Sequence, residues 1–335
     1  MRSHFSRELP IVHHRKAFFC LSGALLALAV VGILVRGLVF GIEFVGGTEV
    51  DFRDTGSVTI SQMRTALSDA GEKGVTVQTA VTDGSAGFLV RSETVDPNVA
   101  TAHAAKAAES LGLAEDSFQV TTIGPDWGAN VTRSSAMAFV LAIVAIVAYV
   151  AFRYEPKMSV TAIASLLHDL LITVGVYAWT QTAITPNVVA ALLTIMGYSL
   201  YDTVVEFHRI NENAAGRDDG VHRTYYQIAN FSVNEVLVRT INTTVTSLVP
   251  VVAMLLLGGA TLRDFAFAML IGLVLGGYSS FGVATPLLAV WKTREPKWAK
   301  LEARYGDASA ATVGVAAADG APDAEKGAES ASESE

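Results

Sequence analysis

The sequence predicts an α-helical polytopic membrane protein, with six transmembrane helices and an α+β extracytoplasmic domain between helices 1 and 2. Three observations predict it. Hydrophobic residues make up 51% of the 335 positions and charged residues only 17%, whereas a soluble globule carries about a quarter charged. The apolar residues fall in six blocks, each close to the roughly 20 residues that cross a bilayer as a helix. Between the first two blocks the hydrophobic period shifts to two, the spacing of strands.

The first block, Ala17 to Phe40, follows a short N-terminal segment (1–16) that ends in Arg15 and Lys16. A basic stretch before an apolar run also suits a cleaved signal peptide, but this run is too long and lacks a small-x-small exit, so it reads as a retained anchor. Its Cys20 is the only cysteine in the chain, so no intrachain disulfide can form and nothing follows about redox compartment.

The outer domain (41–134) opens with a strand: Val50 and Phe52 alternate with Glu49, Asp51 and Arg53. A helix follows. Thr59 and Gln62 have capping-box spacing, Ile60, Met63 and Leu67 share a face, and Gly71 and Gly74 close it. Val75 to Val81 and Phe88 to Glu93 flank Asp83-Gly84-Ser85 as a hairpin. Asp96 is the expected N-cap of a second helix with Pro97 at its first position, running to Leu111 before Gly112. Phe118 to Ile123 is the last strand. The order strand, helix, strand, strand, helix, strand is that of a ferredoxin-like unit, a shape that hosts many roles.

The remaining helices are expected over 135–152, 160–180, 187–206, 236–258 and 265–291. Residues 207–235 form a loop and 292–335 a tail, which after Asp307 has too few large apolar groups to order itself. Lys and Arg set the orientation, because positive short loops stay in the cytoplasm. Arg2, Arg7, Arg15 and Lys16, then Arg153 and Lys157, then Arg209, Arg217 and Arg223, then Lys292, Arg294, Lys297 and Lys300 all fall on one side. Both termini are therefore expected in the cytoplasm. Arg263 in the fifth-to-sixth loop is an exception, outvoted beside Asp264. The net charge of −8 comes mostly from the outer domain and the tail and does not suggest a nucleic-acid partner.

A charge at mid-span costs about 2.5–3.5 kcal/mol on the insertion scale, so the few present carry information. Asp169 falls near the middle of the third helix. Asp202 in the fourth and Arg239 in the fifth stand roughly 6 Å, or about four residues, from the inner boundary. The two are expected to meet if their helices are neighbours. Short aspartates cannot easily snorkel, so Asp202 and Asp169 point to a proton or ion role. Arg36, Glu206 and Asp264 lie nearer the ends and read as snorkelling groups. Gly197, Ser199, Gly272, Gly276 and Gly277 read as close helix packing.

Several blocks together resemble the SecD/SecF family of bacterial protein-export membrane proteins, on its SecF side. They are Phe40-Gly41-Ile42-Glu43-Phe44-Val45-Gly46-Gly47-Thr48; Phe152-Arg153-Tyr154-Glu155; Leu167-His168-Asp169; Gly197-Tyr198-Ser199-Leu200-Tyr201-Asp202-Thr203-Val204-Val205; Arg239-Thr240-Ile241-Asn242-Thr243; and Asp264-Phe265 through Tyr278-Ser279-Ser280. The similarity runs over about residues 15 to 292. It implies a subunit of the resistance-nodulation-division superfamily that works with SecD beside the SecYEG channel and SecA. Such a subunit draws exported preproteins outward at the proton-motive force, in the cytoplasmic membrane and in contact with its lipid. It also implies that Asp202 and Arg239 belong to a proton pathway together with an aspartate of SecD, with Asp169 in a secondary role. Two blocks depart from the family: His208-Arg209-Ile210-Asn211-Glu212-Asn213 replaces Asp-Arg-Ile-Arg-Glu-Asn, and Gly-Ile-Glu-Phe replaces Gly-Ile-Asp-Phe. The first change puts any salt-bridge pattern at the cytoplasmic edge in doubt.

Two rival classes remain. Tyr201-Asp202 within a span suits an intramembrane aspartyl protease, but the second motif, Gly-x-Gly-Asp, is missing from every span. A small-molecule or lipid exporter of the same superfamily would show two six-span halves, while no internal repeat is present. The expectation is a non-enzymatic partner subunit without catalytic residues, cofactor or metal.

Overall fold

The structure, a computed structural model, describes residues 9–82, 85–114, 116–215 and 224–305. The expected hairpin turn at Asp83-Gly84 and the tail beyond Asp307 lie outside the described residues, as do Arg2, Arg7, Arg217 and Arg223. Among the described residues, six helices are long and apolar enough to cross a membrane.

The first of them, α1 (Arg15–Arg36), stops four residues short of the expected Phe40. Gly37 takes φ +70° and returns its N–H to Ile33, an ending that a side chain at that position would resist. The apolar residues that follow leave the helix for a backbone pairing: Ile184 donates to Val39 at 2.8 Å and Gly41 donates to Ile184 at 2.9 Å. This ties the end of the first span to the loop between the third and fourth.

The chain then enters the outer domain through a single turn, α2 (Ile42–Val45), and the pair Gly46-Gly47. Strand β1 (Gly47–Phe52), helix α3 (Ile60–Ala70), strands β2 (Thr76–Thr82) and β3 (Ser85–Ser92), helix α4 (Pro97–Ser110) and strand β4 (Phe118–Ile123) follow. The sheet runs β2-β3-β1-β4 with every pairing antiparallel. That is the ferredoxin-like arrangement, with β1 and β3 in the centre. Val50, Phe52, Val77, Phe88 and Val90 meet Met63, Leu67, Ala104, Ala107 and Ala108 in one core.

Both helix starts form as their sequences dictate. The Thr59 hydroxyl accepts from Gln62 N–H while the Gln62 side chain accepts from Thr59 N–H. The Asp96 carboxylate accepts from the N–H groups of Asn98 and Val99. Asp96→Ala removes that acceptor and is expected to cost about 1 kcal/mol, read as a lower midpoint for thermal unfolding of the outer domain.

The membrane bundle comprises α5 (Pro125–Arg153), α6 (Pro156–Thr180), α7 (Pro186–Ala215), α8 (Tyr225–Leu257) and a composite sixth span, followed by a short surface helix, α11 (Pro296–Tyr305). The sixth span is α9 (Ala260–Ser279), a π-helical turn (Ser280–Ala284) and α10 (Thr285–Lys292). Sequence reading expected one continuous helix over 265–291. Pro286 explains the interruption: it has no N–H to give Gly282, so the chain widens by one residue and the Thr285 N–H reaches back five positions to Ser280.

α7 and α8 also outrun their expected spans, 187–206 and 236–258, since hydropathy registers where lipid ends and not where a helix ends. Beyond the apolar stretch they pair as a hairpin: Arg209 bonds Glu235 at 2.6 and 2.8 Å and Glu212 at 3.0 Å. Asn213 adds bonds to Glu235 and Ser232. This edge therefore carries a salt-bridge cluster with the altered motif in place, and Arg209 is its hub.

α6, α7 and the sixth span form the inner layer, while α1, α5 and α8 keep exposed apolar faces. Glycines set the closest approaches. A methyl on Gly272 would run into Ile195, and one on Gly276 would meet Ser199 at 3.1 Å. A methyl on Gly277 would meet Thr244 at 2.8 Å. Gly197 does not share this role, for its missing side chain faces open space.

Candidate functional site

Asp169 lies where α6, α7 and α9 cross, fully buried. Ser199 of α7 and Ser279 of α9 each donate to its Oδ2 at 2.6 Å, and Oδ1 stands 2.9 Å from His168 Nδ1. Each carboxylate oxygen thus has a polar partner, which is how a buried acid is tolerated. The far nitrogen of His168, Nε2, is buried without a partner, beside the ring of Tyr278.

The seam between α7 and the sixth span carries further polar pairs below Asp169. Thr203 and Ser280 face each other at 3.2 Å. Thr285 donates to Glu206 Oε2 at 2.7 Å. Glu206 is fully buried and its Oε1 has no hydrogen-bond partner. The expectation that Glu206 snorkels to an interface is therefore wrong, because α7 continues to Ala215 and Thr285 closes over the carboxyl group from the sixth span.

Asp202 is buried at 4% exposure, and its Oδ2 is likewise without a partner. Arg239 does not reach it. The guanidinium instead donates to the Tyr201 hydroxyl at 2.7 Å and lies 5.8 Å from the Tyr201 ring centroid. The fourth and fifth helices are neighbours and bring the two residues to one level, as expected, but the direct ion pair is absent. Side-chain direction is the reason: Asp202 points into the bundle, whereas Tyr201, next along the helix, points outward and is 53% exposed. Arg239 follows Tyr201 onto the exposed face.

At the outer end, the sheet rests on the loop between α6 and α7. The Gln78 amide donates to the Gln181 carbonyl at 2.6 Å, and Arg91 bonds both Gln78 and Glu49. Burial pushes the Glu49 carboxyl up from 4.5, while the Arg91 guanidinium 2.8 Å away opposes that shift. Gln181 itself takes φ +55° and uses its own side chain to bond Ala178 at 2.7 Å. The outer domain is therefore joined to the bundle through this loop as well as through its two chain connections, the Gly46-Gly47 entry from α1 and the Gly124 exit from β4 into α5.

Residues 91–294 match the family model for the C-terminal part of the protein export membrane proteins SecD/SecF, and residues 31–53 match the SecD/SecF GG motif. The chain belongs to the SecD/SecF family. A protein translocase subunit SecF of Streptomyces coelicolor is 35% identical over 94% of this chain and 87% of its own length. One from Mycobacterium tuberculosis is 35% identical over 85% of this chain and 67% of its own. The crystal structure of the translocon-associated membrane protein SecDF from Thermus thermophilus superposes with a TM-score of 0.78 at 30% identity. It matches 88% of this chain, which spans 40% of that longer one.

The structure gives the SecD/SecF glycine motif a physical basis. Gly46 (φ +76°) ends α2 and Gly47 (φ +114°) starts β1. A side chain on Gly46 would press on Pro125, and one on Gly47 would overlap the Ser92 carbonyl oxygen. The two glycines thus fix how the sheet leaves the first membrane helix and abuts the second.

Sequence reasoning did not find Thr285, the π turn or the role of Tyr201 as the partner of Arg239, and it placed Glu206 at an interface. Pro286 placed four residues after Gly282 was an available signal for the turn, and the spacing of Asp202 and Glu206 was one for a shared face. No sequence feature marks Thr285 as the partner of a residue 79 positions away.

Proposed function

We propose that this chain is a subunit that, with SecD, helps SecYEG and SecA move preproteins across the cytoplasmic membrane. It draws on the proton-motive force and keeps both termini in the cytoplasm. The observation that carries the proposal is the Arg239–Tyr201 pair, a cation held at span depth on the outer face of the bundle. A charge facing lipid there is costly, so the face calls for a protein partner with an acid of its own. That is what SecD would supply. The solved relative in which SecD and SecF are one chain supports the same pairing.

In this reading Asp202 takes up and releases the proton, Arg239 answers the change in charge, and Asp169 holds the inner helices together in a secondary role. One proton crossing 100 mV releases about 2.3 kcal/mol, enough to shift a local two-state equilibrium. Motion of α6 and α7 would pass to the outer sheet through Gln181 and Gln78. No step requires an enzyme active site.

Purification in mild detergent is expected to bring SecD along with the chain. Arg239→Glu, which places a carboxylate at the proposed contact, is expected to lower the SecD yield. An unchanged yield, or recovery of the chain alone, would contradict the partner assignment.

A further inference from the structure

The seam between α7 and the sixth span holds more chemistry than Asp202 and Asp169 need. Ser199, Thr203 and Glu206 line one face of α7 at spacings of four and three residues, as a single helical stripe requires. Opposite them stand Ser279, Ser280 and Thr285, paired in that order with Asp169, Thr203 and Glu206. Ser280 and Thr285 are five residues apart, a spacing that leaves an ordinary α-helix face at 3.6 residues per turn. The π turn, with its five-residue hydrogen bond, is what brings both onto α7. The result is a row of hydroxyls running from one buried carboxyl group to another.

We propose that Glu206 is a proton-exchanging group and forms the inner end of this row. The proposal rests on the proton-coupled reading above. A fully buried carboxylate without a cation is costly and tends to take up a proton instead. No cation contacts Glu206 among the described residues, because the neighbouring charges are engaged elsewhere. Arg239 of α8 is on Tyr201, Arg209 is on Glu235 and Glu212, and Lys292 of α10 lies between Glu155 and Glu295. Tyr154, just after α5, donates to the Val204 carbonyl, and His168 and Asp169 of α6 face each other. Asp202, one turn away on α7, is the nearest other acid and also has an open oxygen. Uptake forms one O–H bond at Oε1, the open oxygen; release breaks it and passes the proton to water at the inner end of the bundle. Thr285 keeps Oε2 occupied and so fixes which oxygen exchanges.

The test uses infrared difference spectra, taken across a pH step, of membranes carrying the full chain with SecD. Glu206→Gln preserves volume and the acceptor for Thr285, and it is expected to lose a protonated-carboxyl stretch present in the unaltered protein. Glu206→Asp is expected to shift that band. An unmoved band in Glu206→Gln overturns the proposal. Should that variant fail to co-purify with SecD, Glu206→Asp decides by the same criterion. The underlying reading is checked separately: if Asp202→Asn keeps gradient-dependent export while the Glu206 band is lost, that reading fails and the proton site stands.

Discussion

Asp169→Ala is expected to destabilise the membrane bundle by about 3 kcal/mol or more, since each buried donor left without an acceptor costs about 1–3 kcal/mol and several lose theirs at once. The carboxylate is an acceptor shared by α6, α7 and α9. Its removal leaves the Ser199 and Ser279 hydroxyls and the His168 ring to find new partners in a closed interior. It also opens a void in a layer where glycines already bring helices as close as they can come. Asp169→Asn keeps the volume and an acceptor for both serines, so its cost should be smaller. Thermal unfolding of the two variants in detergent, followed by circular dichroism, separates them. Equal midpoints would mean that the carboxylate charge, and not the acceptor geometry, is what α6 supplies.

Gly47→Ala is expected to be nearly as damaging, for two reasons that act together. The residue sits at φ +114°, where any L side chain is strained, and its new methyl would overlap the Ser92 carbonyl oxygen on β3. Backbone strain and forced packing each cost about 1–3 kcal/mol. The neighbouring strand cannot give way cheaply, because Thr48 pairs with Ser92 on one side and Thr122 on the other. The domain is then expected to become sensitive to limited proteolysis near the junction while the bundle stays intact. Gly197→Ala is the control. That glycine lies in α7 with open space beside it, and alanine there is expected to gain about 0.5–1 kcal/mol. A proteolysis pattern common to both variants would contradict the account of the glycine pair.

The contrast between these glycines illustrates what the sequence carries and what it withholds. The outer domain was legible almost residue by residue, since its signals are local: a capping box at Thr59, an aspartate before Pro97, alternation across Val50 and Phe52. The count of membrane helices was legible too, because lipid demands a fixed apolar length. Their ends were not, since Gly37 and the α7–α8 hairpin are set by backbone conformation and tertiary pairing. The site divides in the same way. Asp169, Asp202 and Arg239 stood out by the cost of charge at depth, and the structure brings Asp202 and Arg239 to one level on adjacent helices. Which way each side chain turns depends on the rotation of α7, fixed by packing against the sixth span, and no short-range signal reports it. Glu206 was read as an interface residue for that reason.

Arg239 turned away from Asp202 suits a chain whose charge balance is completed across an interface, and the function of the acid can be measured directly. In inverted membrane vesicles supplied with ATP, SecA and a preprotein, the chain bearing Asp202→Asn and assembled with SecD is expected to support export at the rate seen without a proton gradient. Imposing the gradient should add nothing. A gradient-dependent gain equal to that of the unaltered chain would contradict the proposal that Asp202 carries the proton.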